Sequence, residues 1–575
     1  MKEIFRQRRE AAAAIEQAER VAALAQAVAA MRASDRSCDA YLETARCQEE
    51  LSDYESALNT LREGIEKCAP SAELFRRYIW RLQQVNRAAD AIEAAQEARR
   101  KFPSDFFFRL QESLLLPILY SNVDELERYR RRYSEGLSTI AAELDLGTPA
   151  ARENALAGLS HRQLLLPAYQ GLDDREIQTM YGEMAHRIVG ANYPQWVQPL
   201  PMPPREGRLR IGYISGRWYN QSVAKTHLGW LLAHQRDCFE VFAYHIGDQT
   251  DGWTEDARQA GSVFRHLPGD LEETCRAVLA DRLHVLVFLD IGMDMRTIKF
   301  AALRLAPVQC TTWGHPVTSG LPTVDYYLSS ELMEPADAQK YYTERLICLP
   351  GIGVYFRKPV IPTVCFYKSR ADFGIREDAI MYLSCQSAFK YLPQHDDIYP
   401  AIAKEVPGAQ FVFLERNAAI RNDFQKRLEA AFLQAGVPIE GRVVFVPRSD
   451  NFDYWNLNVL SDIFLDTMEW SGCNSTLEAI ACRLPVVTLP GRFMRGRHSM
   501  AILMQAGVPE TIARDKRDYV DIAVRLGLDG KWRKQVVQNL VAGYRNLYSD
   551  DRCVRALEDF YRKVAGENEI NAKVS

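Results

Sequence analysis

The chain has 575 residues, 47% of them hydrophobic and 25% charged, with a formal net charge of −4 at pH 7. That length provides for about three domains with cores of their own, and the near-neutral balance leaves no electrostatic footprint for nucleic acid. The twelve cysteines are scattered without a Cys-x-x-Cys, a usage that predicts reduced thiols in a cytoplasmic protein and no zinc site.

Residues 11 to 31 are rich in alanine, but Glu16, Gln17, Glu19 and Arg20 interrupt them, so the stretch is too polar for a signal peptide. No run reaches transmembrane length, and no membrane partner is expected. Residues 1 to about 195 carry helical periodicity with hardly a strand signal. Within them Asp53-Tyr-Glu-Ser-Ala-Leu58 recurs 34 residues later as Arg87-Ala-Ala-Asp-Ala-Ile92, which sets Ala57 over Ala91. Pro70 and Pro103 close the two units at nearly the same offset. This period, with small residues in the second helix, resembles tetratricopeptide repeats and is clearest over 38–105. Beyond Phe106 the pattern decays, which predicts irregular or capping helices.

Pro199-Leu-Pro-Met-Pro-Pro204 reads as a stiff linker, after which strands alternate with helices. Arg208–Ser215, Phe239–Tyr244, His284–Leu289 and Val308–Trp313 are the strand candidates of one doubly wound parallel sheet. A junction near Leu349–Pro362 precedes a second sheet from Ile380–Ser384, Gln410–Leu414, Val443–Val446, Asp462–Thr467 and Pro485–Leu489. The expected organisation is α/β: a helical region over 1–198, then two Rossmann-like domains over 206–362 and 363–575, facing a cleft at the carboxyl ends of their strands.

The last two strand candidates enclose Glu469-Trp-Ser-Gly-Cys-Asn-Ser-Thr476, a loop of small polar residues leading into Leu477-Glu-Ala-Ile-Ala-Cys482. Asn474, Ser475 and Thr476 are good N-cap types, so a helix is expected to open there, its terminal N–H groups and neighbouring hydroxyls offering donors to phosphate. Glu478, one turn in, is placed to accept both hydroxyls of a ribose. The same spacing also fits an ordinary βαβ unit with a well-capped helix. Gly314-His-Pro-Val-Thr-Ser-Gly320 follows a strand, and its glycines and proline suit a tight loop that lets a ligand approach the backbone.

Taken together, Asp462-Ile-Phe-Leu-Asp466, Ser471-Gly-Cys-Asn-Ser-Thr-Leu-Glu-Ala479 and Leu484-Pro-Val-Val-Thr-Leu-Pro-Gly491 resemble the donor-site segment of the O-GlcNAc transferase-like glycosyltransferases, family 41. The resemblance implies a GT-B fold and a donor site in which Asn474, Ser475 and Thr476 meet phosphates and Glu478 meets ribose. It places Gly314, His315, Pro316 and Thr318 near the donor phosphates and sugar, and Arg448 and Ser449 near the uracil ring. Lys390, which closes Ser384-Cys-Gln-Ser-Ala-Phe-Lys390, matches the family lysine that neutralises the departing phosphates; Gln386 is a further candidate in that segment. Arg492, Arg495, Arg497 and His498 read as a basic patch, with Arg497 as a donor-binding candidate. One departure is Gln221, where many members show the histidine of an Asn-His pair; His227 lies nearby at a shifted position. The animal enzymes carry a much longer helical superhelix.

The resemblance implies an inverting transferase moving GlcNAc from UDP-GlcNAc to protein Ser/Thr, with no metal and no other cofactor, and with the acceptor protein met through the repeats. No Asp-x-Asp motif suggests a metal bridging the diphosphate. Relatives that use UDP-glucose on Asn or GDP-fucose on Ser/Thr, and a repeat-bearing scaffold with a degenerate transferase domain, are the alternatives.

Overall fold

The apolar spacing of the first hundred residues becomes a run of helices in the computed structural model, which describes residues 2–33, 37–159, 165–205, 207–361, 367–447 and 451–572. After α1 (Lys2–Ala33) come α2 (Cys38–Glu50), α3 (Tyr54–Lys67), α4 (Ala72–Gln84) and α5 (Ala88–Lys101). Both α2 and α4, and both α3 and α5, begin 34 residues apart, matching the repeat in the sequence. The caps repeat in part: the Ser37 side chain accepts from Ala40 N, and Ser71, 34 residues on, accepts from Leu74 N. Ala57 and Ala91 are both fully buried, because small residues let paired helices approach. The region beyond Phe106 is more regular than its weak pattern predicts. Helices span Phe106–Leu114, Val123–Ala142 and Pro149–Gly158, the first capped by Asp105 and the third by Thr148 with Pro149 at its first turn. They are followed by α6 (Arg175–Asn192).

The first sheet has seven parallel strands: β1 (Leu209–Ser215), β2 (Phe239–His245), β3 (Val263–His266), β4 (Val285–Phe288), β5 (Val308–Thr312), β6 (Tyr326–Ser330) and β7 (Arg345–Leu349). Their order is β3-β2-β1-β4-β5-β6-β7. β4 is buried along its whole length, which is why it reads as an unbroken apolar run rather than an alternation. The order reverses direction between β1 and β4, the kind of switch point beside which open α/β sheets bind ligands. From the end of β1 the chain passes into α7 (Ser222–Ala233).

Three further strands, β8 (Ile380–Ser384), β9 (Ala409–Glu415) and β10 (Val443–Pro447), pair in parallel in the order β10-β9-β8. β11 (Ile463–Leu465) pairs in parallel with β12 (Val486–Val487), and α8 (Asn474–Ala481) lies between them in the chain. The chain divides into two compact units, Met1–Gly136 with Ile361–Ser461, and Leu137–Val360 with Asp462–Ser575. Among the described residues, no helix is long and apolar enough to cross a membrane.

The first unit joins the repeats to β8–β10. Asn86, in the α4–α5 turn, adopts a left-handed conformation with φ 64°. Its Oδ1 accepts from Ile118 N and Leu119 N, and its Nδ2 donates to Asp423 at 2.9 Å. Asn417 Nδ2 donates to the Gln84 carbonyl at 2.9 Å. Buried Arg427 donates to both oxygens of Asp396 and to the Tyr120 carbonyl, a bidentate pair whose planar fork fixes direction as well as charge.

If close helix approach sets the repeat geometry, Ala57→Leu and Ala91→Leu should each overpack the hairpins. We expect each to destabilise the protein by about 1–3 kcal/mol, read as a lower midpoint in urea or thermal unfolding.

Candidate functional site

In the second unit, the loop between β11 and α8 is held from several sides. The Asp466 carboxylate accepts from Gly472 N and from Thr488 Oγ1, each at 2.7 Å. Ser471 N donates to the Arg495 carbonyl, and Ser471 Oγ accepts from His498 N at 2.8 Å. Thr476 Oγ1 bonds the Gly472 carbonyl and the Ser499 hydroxyl. The loop is therefore preorganised, with its backbone shape fixed before any ligand arrives.

This packing revises three sequence expectations. α8 opens at Asn474 as expected, but Cys473 occupies the N-cap position and no side chain caps the helix, so the Asn474, Ser475 and Thr476 side chains do not cap it. Thr476 is fully buried with its hydroxyl used inside the protein; Ser475 is half-buried. The basic patch dissolves as well. Arg495 is 3% exposed, paired with Asp174 at 2.9 Å and donating to the Ala168 and Leu172 carbonyls. His498 is buried too. Half-buried Arg497 donates through Nε to the Met333 carbonyl at 3.0 Å, and burial lowers its pKa. Only Arg492, bonded to the Tyr341 hydroxyl, keeps an exposed setting.

Glu478 is nearly buried, and its Oε1 pairs with Lys225 Nζ at 2.7 Å. Lys225 stands on α7, whose start is tied to the same helix: Asn474 Nδ2 donates to the Ser222 carbonyl at 3.3 Å. Asn474 Oδ1 is buried without a hydrogen-bond partner among the described residues. Gln221 is the N-cap residue of α7 in extended backbone, and its side chain makes no cap bond. The second unit thus brings Gln221, Lys225, Asn474, Ser475 and Glu478 to the facing starts of two helices. Lys225 escaped the sequence reading because an ion pair between elements 253 residues apart leaves no local periodicity.

His227 lies six residues beyond Gln221 on α7 and is fully buried. Its Nδ1 bonds the Thr226 hydroxyl at 2.7 Å, and its ring meets Trp230 and Trp313 edge-on. Burial pushes its pKa down to about 3, so it is a neutral packing group at ordinary pH. The loop after β5 is likewise packed rather than open. A Cβ on Gly314 would lie 1.8 Å from the Leu289 carbonyl oxygen, and one on Gly320, at φ 68°, would lie 2.0 Å from that of Gln178. The close approach that these glycines permit is to the protein's own backbone, in place of the expected ligand. Thr318 Oγ1 donates to Glu344 at 2.6 Å, and Ser319 N to the other oxygen of the same carboxylate at 2.8 Å. Pro316 is buried. The His315 ring is buried with its pKa lowered to about 3, first by burial and then by the charge of Arg495. Its Nε2 has no partner among the described residues.

In the first unit, Lys390 ends a short 3-10 turn (Ala388–Lys390) just past β8. Its Nζ donates to Gln386 Oε1 at 2.7 Å, and Gln386 N donates to the Tyr391 hydroxyl, which in turn donates to the Ser384 carbonyl. The two sequence candidates of this segment therefore touch, and the amide directs the ammonium. Arg448 and Ser449 lie outside the described residues.

Two outcomes follow from this packing. Gly320→Ala combines a left-handed φ with the clash against Gln178 and should cost at least about 2 kcal/mol of stability in denaturant unfolding. His227 ionises near 6.5 when unfolded but at about 3 when folded. Between those values the unfolded chain binds the extra proton, so the stability from this ring is full above about pH 6.5 and is lost as the pH falls. His227→Gln should lose about 2 kcal/mol less than the parent between pH 7 and 5; equal slopes would mean that the ring is hydrated.

Residues 175–356 and 358–548 match the model of glycosyl transferase family 41. Over 378 residues the chain is 27% identical to the Arabidopsis thaliana "Probable UDP-N-acetylglucosamine--peptide N-acetylglucosaminyltransferase SPINDLY", covering 63% of this chain and 39% of that protein. It is 25% identical over 386 residues to the Arabidopsis protein of the same description named SEC, covering 64% and 39%. The chain spans about two fifths of the length of these curated relatives. Among solved structures, a lysine-to-methionine mutant of the Thermobaculum terrenum O-GlcNAc transferase superposes with a TM-score of 0.68 at 22% identity, covering 98% of this chain and 97% of that one. That likeness shows the fold: α/β of the GT-B type, preceded by an all-helical tetratricopeptide-like region. With the family model matched over well more than half its length, the chain belongs to glycosyl transferase family 41.

Proposed function

We propose that the protein is an inverting glycosyltransferase that moves GlcNAc from UDP-GlcNAc onto Ser or Thr of a protein acceptor. The observation that carries the reading is the preorganised loop that delivers Glu478 one turn into α8, within the residues matched by the family model. The first N–H groups of a helix have no acceptor within it and favour anions, which suits a diphosphate, while the carboxylate suits the ribose. The relatives' names supply the donor and the peptide acceptor.

In the reaction, the acceptor hydroxyl oxygen bonds to the anomeric carbon from the face opposite the leaving group, its proton passing to solvent, and the bond from that carbon to the UDP oxygen breaks. The bonding electrons leave with UDP, so negative charge grows on its phosphates. Lys390 is assigned the task of meeting that charge, with Gln386 holding the ammonium in direction. No metal takes part in this scheme. The repeats are assigned the protein acceptor.

The direct test is to incubate the purified protein with a panel of nucleotide sugars and Ser/Thr peptides in EDTA, following nucleotide release and peptide mass. Transfer of another sugar would change the donor, and activity only after magnesium or manganese is restored would sink the metal-free step. Interactions that strengthen toward the transition state raise turnover rather than affinity. Lys390→Met should therefore cut kcat by roughly 10²–10³, while UDP affinity measured by calorimetry falls far less. A variant that transfers sugar at the parent rate would remove Lys390 from the mechanism.

A further inference from the structure

We infer that Lys225 is a positioning residue for nucleotide recognition: it holds the Glu478 carboxylate in the orientation that reads the sugar hydroxyls of a ribonucleoside diphosphate. This assignment rests on the ribose role proposed for Glu478. The Glu478 side chain is 8% exposed and that of Lys225 26%, with 2.7 Å between Nζ and Oε1. A carboxylate at that depth is costly without a partner, and Lys225 supplies one from a different element of the same unit.

The geometry around the pair limits its freedom. Asn474 Nδ2, at the start of α8, reaches the Ser222 carbonyl at the start of α7, so the two helix ends that carry the ions are tied together. Two residues after Lys225, the His227 ring is wedged between Trp230 and Trp313, which fixes the rotation of α7. A lysine on a helix locked in this way selects one Glu478 rotamer.

The pairing is compatible with ligand reading, because a carboxylate offers about four acceptor sites, so a bond from an ammonium and bonds from hydroxyls can be accepted by the same group. It also offsets charge. Glu478 lies one turn from the helix terminus to which a diphosphate is assigned, where a lone carboxylate would repel it. Lys225 makes the pair neutral overall, so the carboxylate can read hydroxyls without opposing the phosphates.

Calorimetric titration of the full chain with UDP and with 2′-deoxyuridine 5′-diphosphate tests the proposal, using the parent, Lys225→Met, Lys225→Arg, Glu478→Ala and the Lys225→Met/Glu478→Ala double variant. The parent should prefer UDP by about tenfold or more, as expected when a buried acceptor loses a hydroxyl partner. Lys225→Met should shrink that preference to within about threefold of none, Lys225→Arg should retain most of it, and the double variant should match Glu478→Ala. If Lys225→Met lowers the unfolding midpoint, Lys225→Gln carries the same comparison. A lysine-free variant that keeps the parent's preference, while Glu478→Ala loses it, overturns the role of Lys225 alone. Equal binding of the two nucleotides by the parent overturns the ribose reading of Glu478, and this proposal with it.

Discussion

The second unit depends on one buried carboxylate. Asp466 sits just past β11, 3% exposed, and accepts from the loop through Gly472 N and from the residue after β12 through the Thr488 hydroxyl. Its own carbonyl accepts from the Tyr519 hydroxyl. A glycine- and serine-rich loop has little apolar surface with which to fix itself, so its shape must come from directional bonds. A charged acceptor contributes about twice what a neutral one does. With the bonds of Ser471 and Thr476, this anchor sets where α8 starts.

Around that anchor, most polar residues are spent on the protein's own structure. Thr476, Ser471, Thr318 and Ser319 have the composition of ligand-contacting hydroxyls, yet each is bonded within the protein. Arg495 and Arg497 likewise spend donors on backbone carbonyls. Such bonds satisfy buried carbonyls that would otherwise lose their hydration unpaired. At the facing starts of α7 and α8, Glu478 and Lys225 carry the charge and pair with each other.

β1, β2, β4, β5, β8 and β9 are recognisable within a residue or two, because burial of nearly every position selects apolar and β-branched residues. β10 is read from Val443-Val-Phe-Val446, although it is an edge strand and only partly buried. β3 and β7 escaped. Val263-Phe-Arg-His266 and Arg345-Leu-Ile-Cys-Leu349 are edge strands with exposed positions, and the polar residues that protect an edge also erase its pattern. β6 escaped for another reason. It follows Gly314–Asp325, whose turn chemistry dominated the reading of that stretch, although the strand itself is largely buried. The opening of α8 was legible from its run of small polar residues, although Cys473 takes the cap position. The meaning of Gly314 and Gly320 was not, since a glycine that admits a ligand and one that admits a neighbouring carbonyl look the same in one dimension.

The first unit changes how the helical repeats can be understood. Their α4–α5 turn is bonded through Asn86 to Asp423, and the Gln84 carbonyl takes a bond from Asn417. The Tyr120 carbonyl farther along the helical region takes one from Arg427, the residue that also binds Asp396 and the Tyr391 carbonyl. Tyr391 in turn supports the segment that carries Gln386 and Lys390. The repeats are therefore part of the structure that orients Lys390, whatever acceptor they present. Removing them would leave Asn417 and Asp423 short of partners, and partly satisfied buried networks cost more than the bonds they lose. A truncation that abolishes transfer would consequently report on the packing of this unit, so a role in acceptor binding has to be sought with substitutions at exposed positions of α2 to α5 that leave Gln84, Asn86 and the Tyr120 carbonyl in place.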